Sequence, residues 1–369
     1  MAFFRPFSLE RFFDEYEFKA RYLLSSSDCE TMSARELLAL EPGAEEKYLD
    51  LRLGYTETRG DPALRSDIAA LHAGIDPESL LVFAGAEEAI LDFCLGFLSP
   101  GDHVVVNFPC YQSLAEIPRA LGCAVDPWPL REEGGRWRFD PDDLEALLIP
   151  KTKLVVLNAP HNPTGALPTR PEFDEIVALC RSAGVVLFSD EVYRYLERDE
   201  ARRLPAACEA YENAVSLNVL SKSAGLAGLR IGWLATPRTD ILDSVATVKD
   251  YGTICSSGPS EFLAGVAVRH LPELVARSRS LIDSNLAILD DFFARRPGFA
   301  SWTPPEGGSI GFPRLAGGGD AEAFARRLVS ETGIMLLPGS CYSYDPAYFR
   351  LGFGRASLPE ALAALEAWL

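Results

Sequence analysis

The stretch Leu154-Val155-Val156-Leu157-Asn158-Ala159-Pro160-His161-Asn162-Pro163-Thr164-Gly165 runs from a strand-length apolar segment straight into turn formers. Short apolar runs closed by Asn, Pro and Gly read as buried strands. The next two segments extend the pattern: Arg170 to Ala183 has helical periodicity, and Val185 to Ser189 is a second apolar run. Two strands joined by a helix make a βαβ unit, whose strands are parallel. The same alternation spreads outward from about residue 62 to residue 240. Its strand-like runs are Ser79–Phe83, His103–Asn107, Ala214–Leu220 and Ile231–Ala235, and its helical stretches include Glu87–Leu98 and Ser113–Leu121. It predicts an α/β fold, a large domain with a mainly parallel central sheet flanked by helices on both faces.

After Lys249 the pattern changes. Gly258 to Arg296 reads as one or two long helices, and Ala321–Thr332 and Leu358–Leu369 as shorter amphipathic ones. These predict a smaller α+β domain joined by the N-terminal segment, so that residues 46–275 form the large domain and 1–45 with 276–369 the small one. With 48% hydrophobic and 24% charged residues, the 369-residue chain has the composition of an ordinary globular protein.

A net charge of −18, from 35 Lys and Arg against 53 Asp and Glu, repels phosphate backbones and anionic membrane surfaces. Neither nucleic acid nor membrane is expected as a partner. The eight cysteines are scattered with no C-x-x-C pair, which argues against a disulfide framework or a zinc ribbon and for reduced thiols in the cytoplasm. Met1 to Phe7 is apolar but is broken by Arg5, Glu10, Arg11 and Asp14, unlike a secretory signal. Gly307-Gly308-Ser309-Ile310-Gly311 fits the G-x-S-x-G pattern of a hydrolase nucleophile. Phe312 and Pro313 stand where a helix should start, and no histidine comes later, so the segment reads as a glycine-rich turn leading into a strand. The four histidines lack metal-binding spacing, and no metal is expected.

Reactive residues gather directly after strand-like runs, where open α/β sheets bind ligands. Besides Asn158–Gly165 they are Ser189-Asp190-Glu191-Val192-Tyr193 and Ser221-Lys222-Ser223-Ala224-Gly225-Leu226-Ala227-Gly228-Leu229-Arg230. Gly85-Ala86-Glu87 opens a helix after another strand, so its free N–H groups and the helix dipole would face an anion. In order, spacing and identity these segments resemble the class I/II aminotransferases of the aspartate aminotransferase superfamily, pyridoxal-phosphate (PLP) enzymes of fold type I. The resemblance runs from about Tyr55 to Arg350.

It implies a role for each matched residue. Lys222 would form the Schiff base with the cofactor and move protons at the substrate Cα. Asp190 would pair with the pyridine nitrogen, and Tyr193 and Asn162 would hydrogen-bond the ring's phenolic oxygen. Gly85, Ala86, Glu87 and Arg230 would hold the phosphate, and Tyr111 would stack on the ring. Tyr55 would reach the phosphate of a neighbouring subunit in a homodimer with a shared active site. Arg350, helped by Asn162, would take the substrate carboxylate, a task suited to its planar fork. One position departs from the pattern: Val219 stands where the family usually has a phosphate-binding hydroxyl.

The implied reaction is transamination between an L-amino acid and a 2-oxo acid. A second reading comes from Leu24-Ser25-Ser26-Ser27-Asp28-Cys29-Glu30 and Ser33–Leu38, which resemble the start of the capreomycidine synthases. Those enzymes have the same fold and eliminate water from a hydroxylated arginine before closing it into a ring. A third, of another class, is a regulatory or binding protein that kept the fold and lost turnover. Asp28 or Glu30 could receive a cationic substrate, but both read first as solvated surface carboxylates, so no side-chain specificity is assigned.

Overall fold

The computed structural model describes residues 3–369; Met1 and Ala2, which the sequence reading assigns to the small domain, lie outside the described residues. Seven strands form the central sheet: β1 (Leu80–Phe83), β2 (His103–Phe108), β3 (Ala124–Pro129), β4 (Thr152–Asn158), β5 (Val186–Asp190), β6 (Ala214–Val219) and β7 (Gly232–Ala235). Their order is β1-β7-β6-β5-β4-β2-β3. From β3 to β6 every pairing is parallel, whereas β7 is antiparallel to both β6 and β1. The reversal has a local cause. No α-helix lies between β6 and β7 to carry the chain back across the sheet, so the strand after the Lys222 loop returns antiparallel. β1, β5, β6 and β7 are buried at every position, as a sheet covered on both faces requires.

The helical reading of Arg170–Ala183 matches the observed helix, which Thr169 starts through a capping box with Glu172. Gly258–Arg296 divides into helices Gly258–Arg269 and Leu271–Arg295. The break falls at His270, two residues before Pro272, whose ring and missing N–H suit the start of a helix and not its interior. β3 is absent from the sequence reading. It pairs only with β2, its Pro127 and Pro129 break the strand signature, and only Trp128 is fully buried. Proline is tolerated there because an edge strand leaves part of its backbone unpaired.

The two ends of the chain pack together. Tyr22–Leu23 pairs in parallel with Ile334–Met335, and Phe349–Gly352 lies between Ile310–Gly311 and Leu337–Pro338 in a three-stranded sheet. The Gly352 N–H donates to the Leu24 carbonyl at 2.6 Å. A Cβ on Gly352 would collide with the Ser26 carbonyl, so glycine is what lets segment 24–28 lie against this strand. The helix Ser8–Tyr16, also absent from the sequence reading, buries Leu9, Phe12 and Phe13. Among the described residues, no helix is long and apolar enough to cross a membrane.

Candidate active site

A cleft of about 340 Å³ opens where β5, β6 and β4 end and segment 24–28 crosses above them. Of the residues proposed from sequence, Ala86, Glu87, Tyr111, Asn162, Asp190, Tyr193, Lys222, Arg230 and Arg350 line it. Gly85 sits just behind Arg230. Tyr55 is not in the cleft of its own chain; its side chain is 92% exposed.

Asp190 closes β5 and is 4% exposed. The Val192 N–H donates to its Oδ1 at 3.2 Å, and Oδ2 has no hydrogen-bond partner among the described residues. Burial is the main cause that pushes its carboxyl up to about 7, and the nearby Lys222 charge only partly opposes this. A buried carboxylate in that condition is completed by a cationic N–H such as a protonated pyridine nitrogen. Asn158, next to it in register on β4, ties the two strand ends together. Its Nδ2 donates to the Asp190 carbonyl at 2.9 Å, and its Oδ1 accepts from the Asn162 N–H at 2.7 Å.

Lys222 comes after β6 on the reversed connection. Its Nζ donates to Ser27 Oγ at 2.8 Å and stands 5.9 Å from the centre of the Tyr193 ring. Burial, with Arg350 adding to it, holds the amine below its ordinary value against the pull of Asp28, Cys29 and Asp190. That raises the neutral, nucleophilic fraction. Tyr193 is fully buried, which pushes its phenol up.

The expected anion cradle would be built from backbone. Gly85, at φ +92°, precedes the helix Ala86–Phe97, whose first N–H groups are free. A Cβ on Gly85 would run into the Arg230 guanidinium, so glycine admits that cation to the helix start. Arg230 itself holds a left-handed backbone at φ +53° and has no ion-pair partner among the described residues. Val219 brings no hydroxyl, but Ser221, nearly buried and lining the cleft, has one without a hydrogen-bond partner among the described residues. The side chain of Glu87 turns to Ser113, whose Oγ donates to its Oε1. Burial raises that carboxyl, so the chain's contribution to the cradle at this position is the backbone.

Arg350 is 2% exposed. It donates through Nη1 to the Tyr342 hydroxyl at 2.7 Å and to Asn162 Oδ1 at 3.4 Å. Nη2 and Nε reach the Ser25 carbonyl at 2.7 and 3.2 Å. No carboxylate pairs with it among the described residues, so a buried guanidinium faces the cleft without a counter-ion. Tyr342 also donates to Asn162 Oδ1 at 2.8 Å. Sequence reading misses Tyr342 altogether, and it singles out the stretch that holds Ser25 and Ser27 without giving either serine a role; only their folded positions reveal what they touch.

Two other expectations change. Asp28 is not a free surface group but pairs with Arg355 at 2.6 Å, and Glu30 accepts from the Ala356 N–H at 2.9 Å. Ser309, the discarded nucleophile, donates to the Ser27 carbonyl at 2.7 Å and thereby holds the segment that carries the Lys222 partner.

The family model described as aminotransferase class I and II matches residues 23–365. The capreomycidine synthase of Streptomyces vinaceus is 32% identical over 364 residues, covering 97% of this chain and 92% of that one. The arginine–pyruvate transaminase of Pseudomonas aeruginosa is 32% identical over 322 residues, covering 83% and 80%. A PLP-dependent aminotransferase from Streptococcus suis superposes with a TM-score of 0.93 at 33% identity over 99% of this chain and 98% of that one. Match and geometry converge on a single assignment: this chain belongs to the PLP-dependent class I and II aminotransferases.

Proposed function

We propose that the protein transfers the amino group of an L-amino acid to a 2-oxo acid, with Lys222 as the residue that holds the cofactor and then shuttles the proton. The observation that carries this reading is Arg350, buried without a counter-ion in the same cleft as Lys222 and Asp190. Bound PLP supplies an aldehyde for amines and a ring that takes up electrons when a bond at Cα breaks. Asp190 would keep the ring nitrogen charged, and Arg230, Ser221 and the N–H groups after Gly85 would hold the phosphate. Tyr111 would pack on the ring, and Tyr193 and Asn162 would hydrogen-bond its phenolic oxygen. Arg350 would fix the substrate carboxylate in the cleft that Lys222 also lines. Borohydride reduction of the holoenzyme followed by peptide mass spectrometry tests the assignment. The pyridoxyl group is expected on Lys222, and finding it on another lysine would reject the role.

The fold divides, in this proposal, at residues 45 and 275, and the working unit is a cytoplasmic homodimer in which Tyr55 reaches the partner's phosphate. Support comes from one surface. Thr56 donates to the Ser256 carbonyl at 3.2 Å and Thr58 to Asp250 at 3.3 Å, which sets the exposed Tyr55 beside the exposed Tyr251 and Ile254.

A second reading, elimination with ring closure, is favoured by the match to a capreomycidine synthase over nearly the whole chain. Product analysis separates the two. A 2-oxo acid formed as the cofactor converts to its amine form marks transamination, and a cyclised amino acid without that conversion marks the second reading.

A further inference from the structure

Five carboxylates and three cations line the cleft. Each cation has a task in transamination: Lys222 the cofactor, Arg230 the phosphate, Arg350 the substrate carboxylate. Three of the acids are also committed. Asp190 serves the ring nitrogen, Asp28 pairs with Arg355, and Glu87 takes the Ser113 hydroxyl. Glu10 and Glu17 remain. Neither side chain has a hydrogen bond or ion pair among the described residues, yet both line the cleft. They project from the Ser8–Tyr16 helix and its C-cap, with Phe13 between them. Positions i, i+3 and i+7 share one helix face, and the outer two stand about 10 Å apart along the axis. Phe13 marks where that face lies, for its ring is 5.9 Å beneath the Arg350 guanidinium. The two free carboxylates therefore flank the carboxylate anchor.

We propose that the substrate is an amino acid whose side chain ends in an organic cation, a guanidinium or an ammonium, and that Glu17 with Glu10 reads that charge. This rests on the aminotransferase reading and names the substrate class of the same cleft. The buried, half-unpartnered Asp190 and the counter-ion-free Arg350 mark the cleft as a ligand site independently of these acids. Electrostatics agree with the geometry. Burial raises the Glu17 carboxyl, the like charges of Glu10 and Asp28 raise it further, and Arg355, paired with Asp28, only partly opposes them, so a cation placed among them would relieve the rest. A neutral or acidic side chain would leave the crowding in place.

The test titrates the holoenzyme with L-arginine, L-lysine, L-citrulline and L-norleucine and reads Kd from the change in cofactor absorption. Citrulline keeps the shape of arginine without the charge. Wild type should bind arginine or lysine about tenfold more tightly than its neutral counterpart, the size of one charge-assisted hydrogen bond. Whichever of the two cations is preferred identifies the head group. In Glu17→Gln with Glu10→Gln that ratio should fall to within about threefold. Equal binding of arginine and citrulline together with equal binding of lysine and norleucine by wild type, or an unchanged ratio in the double variant, overturns the inference. A holoenzyme whose spectrum answers no amino acid at all overturns the aminotransferase reading, and this inference with it.

Discussion

The floor and the roof of the cleft are built in opposite ways. The floor is made of strand ends: Asp190 closes β5, Asn158 closes β4, Lys222 comes after β6, and Gly85 after β1. Asp190 and Asn158 are placed by ladders of backbone hydrogen bonds in a buried sheet, Lys222 and Gly85 follow within three residues of such strands, and each sits inside a short contiguous motif. The roof is assembled from distant pieces. Arg350 is held by the carbonyl of Ser25, 325 residues earlier in the chain, and by Tyr342, while Phe13 lies beneath it. A sheet edge can fix a cofactor to within fractions of an ångström, whereas segments packed by a few side chains can be exchanged without disturbing the strands below. Under the proposed function, chemistry belongs to the floor and selectivity to the roof.

Asp190→Asn should break the floor with the largest effect. The group's folded pKa is raised, so the stability tied to its neutral form is fully present below the unfolded value of 3.8. It is lost as pH rises through about 7. In the cofactor-free protein the ionised carboxylate then costs on the order of 4 kcal/mol. Urea unfolding from pH 5 to 8 should show wild type losing stability relative to Asp190→Asn, while the variant binds PLP more weakly. Parallel stability curves for the two proteins would mean that Asp190 finds a partner in the free protein.

Arg350→Ala tests the roof, with a smaller effect of ~1.5–3 kcal/mol, so kcat/KM for an amino acid should fall at least about tenfold. Arg350→Lys keeps the charge, loses the fork and should recover only part. The corresponding decarboxylated amines should be affected far less. An equal loss for amino acids and amines would make Arg350 structural.

Tyr342→Phe should be the mildest change. Its hydroxyl accepts from Arg350 and donates to Asn162, so losing it leaves the charge in place and removes one positioning contact of ~0.5–1.5 kcal/mol. KM for the amino acid should rise a few-fold with the cofactor spectrum little altered. A shifted cofactor band would show that floor and roof are coupled through Asn162.

The same division decides what the sequence can reveal. Floor residues are local: an apolar run, its closing turn and the next reactive side chain occupy a dozen positions, so Asn162, Asp190, Lys222 and Arg230 can be named with the strands that carry them. β3 escapes because its prolines mimic a loop and its burial rests on Trp128 alone. Ser8–Tyr16 escapes because a nine-residue amphipathic segment carries little periodic signal, and its apolar face is explained only by partners far along the chain. Asp28 reads as solvated because Arg355, its partner, is 327 residues away. Glu10 and Glu17 look like any surface acids until Phe13 is seen under Arg350.

The contact between Gly352 and segment 24–28 also sets a timetable. At a synthesis rate of ~5–20 residues per second, the 325 residues between Ser25 and Arg350 take on the order of 16 to 65 s to appear. All seven strands of the central sheet are complete by Ala235, so the floor can form while the chain is still growing. Phe13 must wait for the last strand, where Arg350 covers its ring, leaving part of an apolar helical face open for most of translation. On the proposed reading, the nascent chain thus gains its cofactor site well before its substrate site, and the Ser8–Tyr16 helix is among the last elements to find its place.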